Sequence, residues 1–356
     1  MTIGNFWPHD AVVASSIVTD DEWCDTFDRR KTGNSRKIGQ RRMQKLVRLA
    51  HISDVHLANV AGFSPRHLNL KRGLGFINWQ RKRRFIHLQS TVDLLLEDLR
   101  QQEFDHLAVS GDLANLGLPS ELEAAATWLK QLGNPSDVSV IPGNHDIYCP
   151  LWSDQGTERW QDYMSNLPDV ARQAGPSSAS GFPYVRRLGD VALIGVNSAV
   201  PMPPGIASGQ VGMEQLERLQ MILFELADEG CFRLVMIHHP PLPGQASKRR
   251  ALKDAADLQS LIADAGAELI IHGHNHRSML AHVDGASGAI PVVGVPSFSA
   301  TYGPKSGELA AYNIYEISEI PSGYSIALEQ RGLKRDAEGV MCLRREKISG
   351  VMHKQN

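Results

Sequence analysis

The chain has 356 residues, 42% of them hydrophobic and 21% charged, with a formal net charge of -2 at pH 7. That length can bury one large core or two smaller ones, and the composition is ordinary for a globular protein. The near-neutral balance excludes a nucleic-acid coat or a polyacidic tail, and no run of 18 apolar residues is present to span a bilayer as a helix.

Residues 1–28 carry six acids and no Lys or Arg, whereas residues 29–45 carry eight basic residues and no acid. Apolar periodicity is weak throughout, so residues 1–45 read as a disordered extension, 46–348 as the folded domain and 349–356 as a tail. Met43 stands just before the first strand and is a candidate start of translation. No basic segment followed by an apolar run opens the chain, so no secretory signal is read. Cys24, Cys149, Cys231 and Cys342 are scattered without a CxxC pair, which fits free thiols in a reducing, cytoplasmic setting.

From Leu46 onward strands alternate with helices. Leu46 to Ser53 reads as a buried strand. Leu88, Val92, Leu95, Leu96 and Leu99 form one helical stripe over 88–101. His106 to Ser110 is a second strand, a helix over 120–132 opens on a capping box of Ser120 and Glu123, and Val138 to Ile141 is a third strand. Residues 150–182 are irregular, with a short helix around Trp160. Strands follow at 184–188 and 191–196, then a helix over 213–228, a strand at 234–237, a helix over 257–265 and a strand at 269–271. The tail, 278–345, is a run of strands. Repeated βα units with a β-rich end predict two packed sheets flanked by helices.

Five segments sit just after predicted strands, where α/β folds place ligand loops. They are Asp54-Val55-His56, Gly111-Asp112, Gly143-Asn144-His145-Asp146, His238-His239-Pro240 and Gly273-His274-Asn275-His276. Each alone is weak, since a DxH or GD pair arises often by chance. Together they bring Asp, Asn and several His to strand ends of one domain. Imidazole and carboxylate suit Zn, Fe or Mn, and the lack of Cys argues against a closed structural zinc site. Two carboxylates against two divalent ions leave about +2, a surplus that favours a phosphate anion.

The order DxH, GD, GNHD, H, GHxH resembles the calcineurin-like metallophosphoesterases over about residues 46–300. The resemblance implies an α/β fold, a four-layer αββα sandwich of two mixed sheets. It also implies a phosphohydrolase that cleaves a small phosphodiester by attack of a hydroxide held on two metal ions, divalent or mixed-valence Mn, Fe or Zn. On this reading Asp54, His56 and His276 hold the first metal, Asp112 bridges, and Asn144, His238 and His274 complete the second. His238 fits its position better than His239. His145 contacts the phosphate or protonates the leaving oxygen, with Asp146 orienting its ring; a turn-stabilising Asp146 is the alternative. His51, His239 and His272 are placed near the ligands without a role, and Asn115 stabilises its loop. A phosphomonoesterase or nucleotide-sugar-lipid pyrophosphatase is the alternative activity, and a non-catalytic scaffold of the same fold the third reading.

Residues 55–92 contain no Asp or Glu, and Arg66, Lys71, Arg72, Arg81, Lys82, Arg83 and Arg84 are interleaved with Phe63, Phe76, Trp79 and Phe85. This insert follows the first ligand loop and reads either as an anion-steering, lipid-contacting cap or as a solvated helix with inward aromatics. The expected partners are a small phosphorylated substrate and transient membrane-surface or lipid contact through residues 63–85, with no dedicated nucleic-acid-binding domain. The 201–209 loop is a pocket wall or a connector, and Lys248-Arg249-Arg250 reads as a solvated face, with contact to substrate phosphate the alternative.

Overall fold

The computed structural model describes residues 43–57, 60, 63–150, 154–166, 181–286, 288–301, 308–335 and 339–348. The expectations for residues 1–42 and 349–356 lie outside the described residues. In chain order the elements are β1 (Gln44–Ile52), α1 (Leu70–Asn78), a π-helical turn (Trp79–Arg83), α2 (Arg84–Ile86), α3 (Gln89–Arg100), β2 (His106–Val109), α4 (Pro119–Leu132) and β3 (Val138–Val140). They continue with a 3-10 helix (Gly156–Tyr163), β4 (Tyr184–Leu188), β5 (Val191–Val196), α5 (Met213–Asp228), β6 (Phe232–Ile237), α6 (Ala255–Ala265) and β7 (Leu269–His272). Five strands follow β7: β8 (Met279–Gly285), paired to β9 (Gly288–Gly294), then β10 (Ala311–Ile320), β11 (Gly323–Leu333) and β12 (Val340–Lys347).

Two mixed sheets result, in the orders β12-β11-β10-β1-β2-β3 and β4-β5-β6-β7-β9-β8. Strands β1, β2 and β3 run parallel in the first, and β5, β6, β7 and β9 in the second. Period-two alternation explains the layering. Leu193, Leu234, Met236, Leu269 and Ile271 face the first sheet and join its core. Their neighbours Ala192, Ile194, Val235, Ile237 and Ile270 face the other way, onto Leu216, Leu219 and Leu223 of α5 and Leu258 and Ile262 of α6. Helix α3 brings Val92, Leu95 and Leu99 to the first core, and its Asp98 is gripped by Tyr312 of β10 and by Arg331 of β11 at 2.7 Å. The αββα sandwich expected from the motifs is the observed one.

One local expectation fails. Helix α4 begins at Pro119, and Glu121 rather than Glu123 turns back to its start. Its buried carboxylate accepts from the backbone N–H of Leu118, Asn115 and Leu116, each at 3.0 Å. Pro at the first helical position already fixes φ and needs no donor partner, so the helix starts one residue before Ser120.

Candidate metal centre

All seven candidate ligands stand beyond the carboxyl ends of parallel strands: Asp54 and His56 after β1, Asp112 after β2, Asn144 after β3, His238 after β6, His274 and His276 after β7. Five of them, Asp54, His56, Asp112, His274 and His276, have positive φ, and among the described residues they are the only non-glycine residues that do. Such conformations cost about 1–3 kcal/mol each and persist only where surrounding bonds over-determine them. Those bonds are present. Asp54 N donates to Gly111 O and His56 N to Asp112 O, both at 2.9 Å, and His274 N donates to Asp54 Oδ2 at 2.9 Å. Gly273 and Gly143 must lack a side chain here: a Cβ would lie 1.9 Å from Ser53 Oγ at the first and 2.3 Å from Asp112 Oδ1 at the second.

The side chains form two groups that meet at one carboxylate. His238 Nε2 lies 3.3 Å from Asn144 Oδ1, 3.3 Å from His274 Nδ1 and 3.5 Å from Asp112 Oδ2. On the other side, Asp112 Oδ2 is 3.8 Å from His56 Nε2, and Asp54 Oδ1 is 3.1 Å from His276 Nε2. Donors about 2.0–2.1 Å from one ion stand about 2.8–3.4 Å apart at octahedral or tetrahedral angles, so both groups have the spacing of slightly open cation cages. The ring protons agree. His238 Nδ1 faces Ser110 O at 2.7 Å and His56 Nδ1 faces Ala114 O at 3.0 Å, which holds Nδ1 protonated and turns Nε2 inward. Asp54 Oδ1 and His274 Nε2 are buried without an aligned hydrogen bond. A nitrogen facing a second ring nitrogen, an amide oxygen and a carboxylate cannot satisfy three partners with one proton; a cation can. In the metal-free protein burial disfavours a charged His238, but Asp112 and then Asp54 outweigh it and lift the imidazole to about 9.

A family model described as calcineurin-like phosphoesterase matches residues 47–278. The chain belongs to this family. Similar proteins include a probable cyclic nucleotide phosphodiesterase of Synechococcus sp., 27% identical over 186 residues, which are 51% of this chain and 62% of the relative. The chain thus spans less than two thirds of that relative's length. Among solved structures, a purple acid phosphatase from yellow lupin seeds superposes with TM-score 0.50 at 14% identity, covering 87% of this chain and 54% of that one. A dimetal phosphatase from Danio rerio gives 0.47 at 13% identity, over 86% of this chain and 100% of that one. The lupin structure shows a shared fold and no more.

In this member of the family the chemistry of the donors suits metal ions: Asp54, His56 and His276 would hold one, Asn144, His238 and His274 another, with Asp112 between. His239 is turned away. Its Nδ1 pairs with Ser198 Oγ at 2.8 Å and its Nε2 with Ala207 O at 3.2 Å, so it ties the 201–209 loop to the site instead. His51 and His272 are buried nearby, and burial first of all holds them neutral, at about 3 and about 4. Of the basic run after the HHPP loop, Arg250 alone reaches inward, donating to the His274 carbonyl.

The expected role of Asp146 is corrected. Its Oδ2 accepts from Asp112 N and Gly143 N and its Oδ1 from Ala114 N, all at 2.8 Å, which is the alternative turn-stabilising role, and the His145 ring bonds elsewhere. The ring is oriented by Asn115, whose carbonyl accepts from His145 Nδ1 at 2.6 Å. Asp146 is a staple between two ligand loops, and Asn115 positions the ring through its backbone.

Two residues of the insert enter the site: Arg83, expected only as one cation of an anion-steering cap, and His87, which had not been singled out. Arg83, on the π-helical turn, donates to His56 Nε2 at 3.1 Å and to the His145 ring at 3.0 Å. His87 is anchored through Nδ1 on Ser299 Oγ at 2.7 Å, and its ring joins His56 and His276 in a group whose ligand atoms lie within 4.8 Å of one another. A π-turn is a recurrent mark of functional helices, but it is invisible to apolar periodicity, and neither residue belongs to a strand-end motif.

Proposed function

We propose that this phosphoesterase hydrolyses a small phosphate diester at two metal ions. The observation that carries the reading is the position of Asp112 Oδ2, 3.5 Å from His238 Nε2 and 3.8 Å from His56 Nε2, between two sets of candidate ligands. The printed name of the Synechococcus relative supports the diester class. Bound there, divalent ions supply Lewis acidity and an activated water at neutral pH.

The rest is done by this chain's own side chains. Arg83 is a half-buried cation whose hydrogen bonds among the described residues go only to neutral rings. It is suited to accept the non-bridging oxygens of a phosphoryl group as a fork. His145 lies against it, held by Asn115 with Nε2 free of that bond. Burial first, and Arg83 second, push His145 down to about 3, so the ring is neutral until an anion arrives. A phosphoryl group beside Arg83 reverses that balance and lets Nε2 carry a proton to the leaving oxygen. Arg83 also adds one positive charge to the surplus already present, which favours a dianionic monoester as the second reading.

Metal analysis and turnover with Mn decide between these. About two equivalents of metal and hydrolysis of bis-p-nitrophenyl phosphate and cyclic AMP are expected. Preference for p-nitrophenyl phosphate selects the monoester reading, preference for a nucleotide diphosphate sugar the pyrophosphatase reading, and metal-free protein after supplementation the scaffold. Arg83→Ala should weaken inhibition by inorganic phosphate about 10- to 100-fold, the range for a lost charged hydrogen bond, with metal content unchanged.

A further inference from the structure

The insert has a second face. Arg72, Gly75, Phe76, Trp79 and Arg83 point inward. Phe63 stacks on Phe76 at 4.4 Å and Phe76 on Trp79 at 6.0 Å, in a small apolar cluster with Val60, Leu116, Leu118 and Tyr148. Arg72 donates to Gly117 O at 2.9 Å, and at the far end Thr301 N donates to Ile86 O at 2.8 Å. The helical rod from Leu70 to Ile86 is therefore pinned at both ends and rolled in one orientation.

On the opposite side Leu70, Leu74, Ile77, Arg81 and Phe85 recur at i, i+4, i+7, i+11 and i+15, the spacing of one helical stripe. Leu70 is 72% exposed, Leu74 53%, Ile77 48% and Phe85 59%. Lys82 and Arg84 are exposed beside them, with Arg84 stacked over the Phe85 ring. No acid lies anywhere in residues 55–92. Helix α5 provides the contrast: it also exposes Met213, Met221 and Phe224, but among Glu214, Glu217, Glu225 and Asp228.

We propose that this outward face of the insert docks on an anionic lipid bilayer. Large aliphatic and aromatic side chains on a rod flanked only by Lys and Arg are what an interfacial helix needs, apolar groups entering the headgroup boundary while cations meet the lipid phosphates. The choice of a bilayer over an acidic protein groove rests on the charge, uniformly positive along the whole segment, together with the breadth of exposed apolar surface. Docking sets the bilayer against the face of the rod whose other side carries Arg83, so the phosphoester site lies one helix away from lipid. The inference does not depend on which ester is cut.

The test is co-sedimentation of the full chain with vesicles of phosphatidylcholine alone or mixed with phosphatidylglycerol, at low and high salt. Binding to the mixed vesicles, weakened by salt, is expected. Arg81→Ala with Arg84→Ala should weaken it about 25-fold, near fivefold per cation. Leu74→Ser, Ile77→Ser and Phe85→Ser together should lower it by more than about tenfold, through lost apolar burial. Met221→Ser with Phe224→Ser on α5 should leave it unchanged, and circular dichroism checks that every variant is folded. The proposal is overturned if the wild type binds the mixed vesicles no better than pure phosphatidylcholine. It is equally overturned if light scattering shows a dimer that the triple variant dissolves while vesicle binding is absent, because a second copy then covers the stripe.

Discussion

Replacing Asp146 by Asn separates a loop staple from a catalytic partner. The carboxylate receives three backbone N–H groups, two on Oδ2 and one on Oδ1. The amide can keep its oxygen on the two-donor side, but its NH2 then faces Ala114 N–H, and a buried donor left unmade costs about 1–3 kcal/mol. The two surviving bonds also lose their charge assistance, about 1 kcal/mol each. Against this, burial first and then Asp112 push the Asp146 carboxyl up to about 7, so removing the charge recovers part of the loss. The net expectation is about 2 kcal/mol of stability, a fall in Tm of roughly 4–8 °C. Because the staple holds both the Asp112 and the Gly143–Asn144 backbones, metal affinity should fall about 10- to 100-fold. Thermal unfolding by circular dichroism, titration calorimetry with Mn, and turnover of bis-p-nitrophenyl phosphate read the three quantities, and kcat should return towards wild type at saturating metal. Unchanged Tm and metal affinity with a large, metal-independent fall in kcat would refute the staple and restore Asp146 as the partner of His145.

Three further outcomes are expected. Asn144→Ala removes the neutral oxygen donor from the second group, so metal analysis after dialysis should find about one equivalent per chain, whereas His145→Ala should retain two. Gly273→Ala places a Cβ 2.7 Å from Asp54 Oδ2 and should cost about 1–3 kcal/mol in urea unfolding. By contrast Gly73→Ala, in α1 with only Leu68 Cδ1 at 3.5 Å, should stabilise by about 0.5–1 kcal/mol. Burial, then Arg186, hold His106 down to about 4, far from the metal ligands, where its Nε2 pairs with Ser139 Oγ at 2.8 Å. A folded pKa below the unfolded one means the folded chain refuses a proton the unfolded chain takes. Stability is therefore full above about 6.5 and falls by about 1.4 kcal/mol per pH unit towards 4. His106→Asn should reduce the difference in unfolding free energy between pH 7 and pH 5.5 by about 1 kcal/mol.

The sheets and the metal centre were legible because their signals are local and repeated. Strands β4 and β5 and helix α5 have the bounds the apolar period gives, and each ligand follows a strand closely enough to be read from spacing alone. What was not legible depends on contacts across the chain. The choice of Glu121 over Glu123 at α4 follows from three backbone N–H groups that the loop 115–118 folds back toward it. The choice of Asn115 over Asp146 for the His145 ring likewise follows from loops 30 residues apart in sequence meeting in space. A carboxylate beside a histidine in sequence is the obvious pair, but here the adjacent backbone donors claim it first.

The outward face of the insert bears on function. Leu70, Leu74 and Ile77 are exposed side chains, while two arginines occupy the inner face. This arrangement is possible because each inward arginine finds partners there: backbone carbonyls for Arg72, ring nitrogens for Arg83. It also exposes apolar surface that a freely soluble helix would turn inward, a cost that burial in a lipid interface removes. The aromatic residues divide between the two faces, Phe76 and Trp79 holding the rod down and Phe85 left outside. One segment thus places a guanidinium against the ligand His56 from its inner face and offers a basic, apolar surface from its outer one. A substitution on either face should therefore be separable from the other: Arg83→Ala should alter phosphate binding without altering vesicle binding, and Phe85→Ser the reverse.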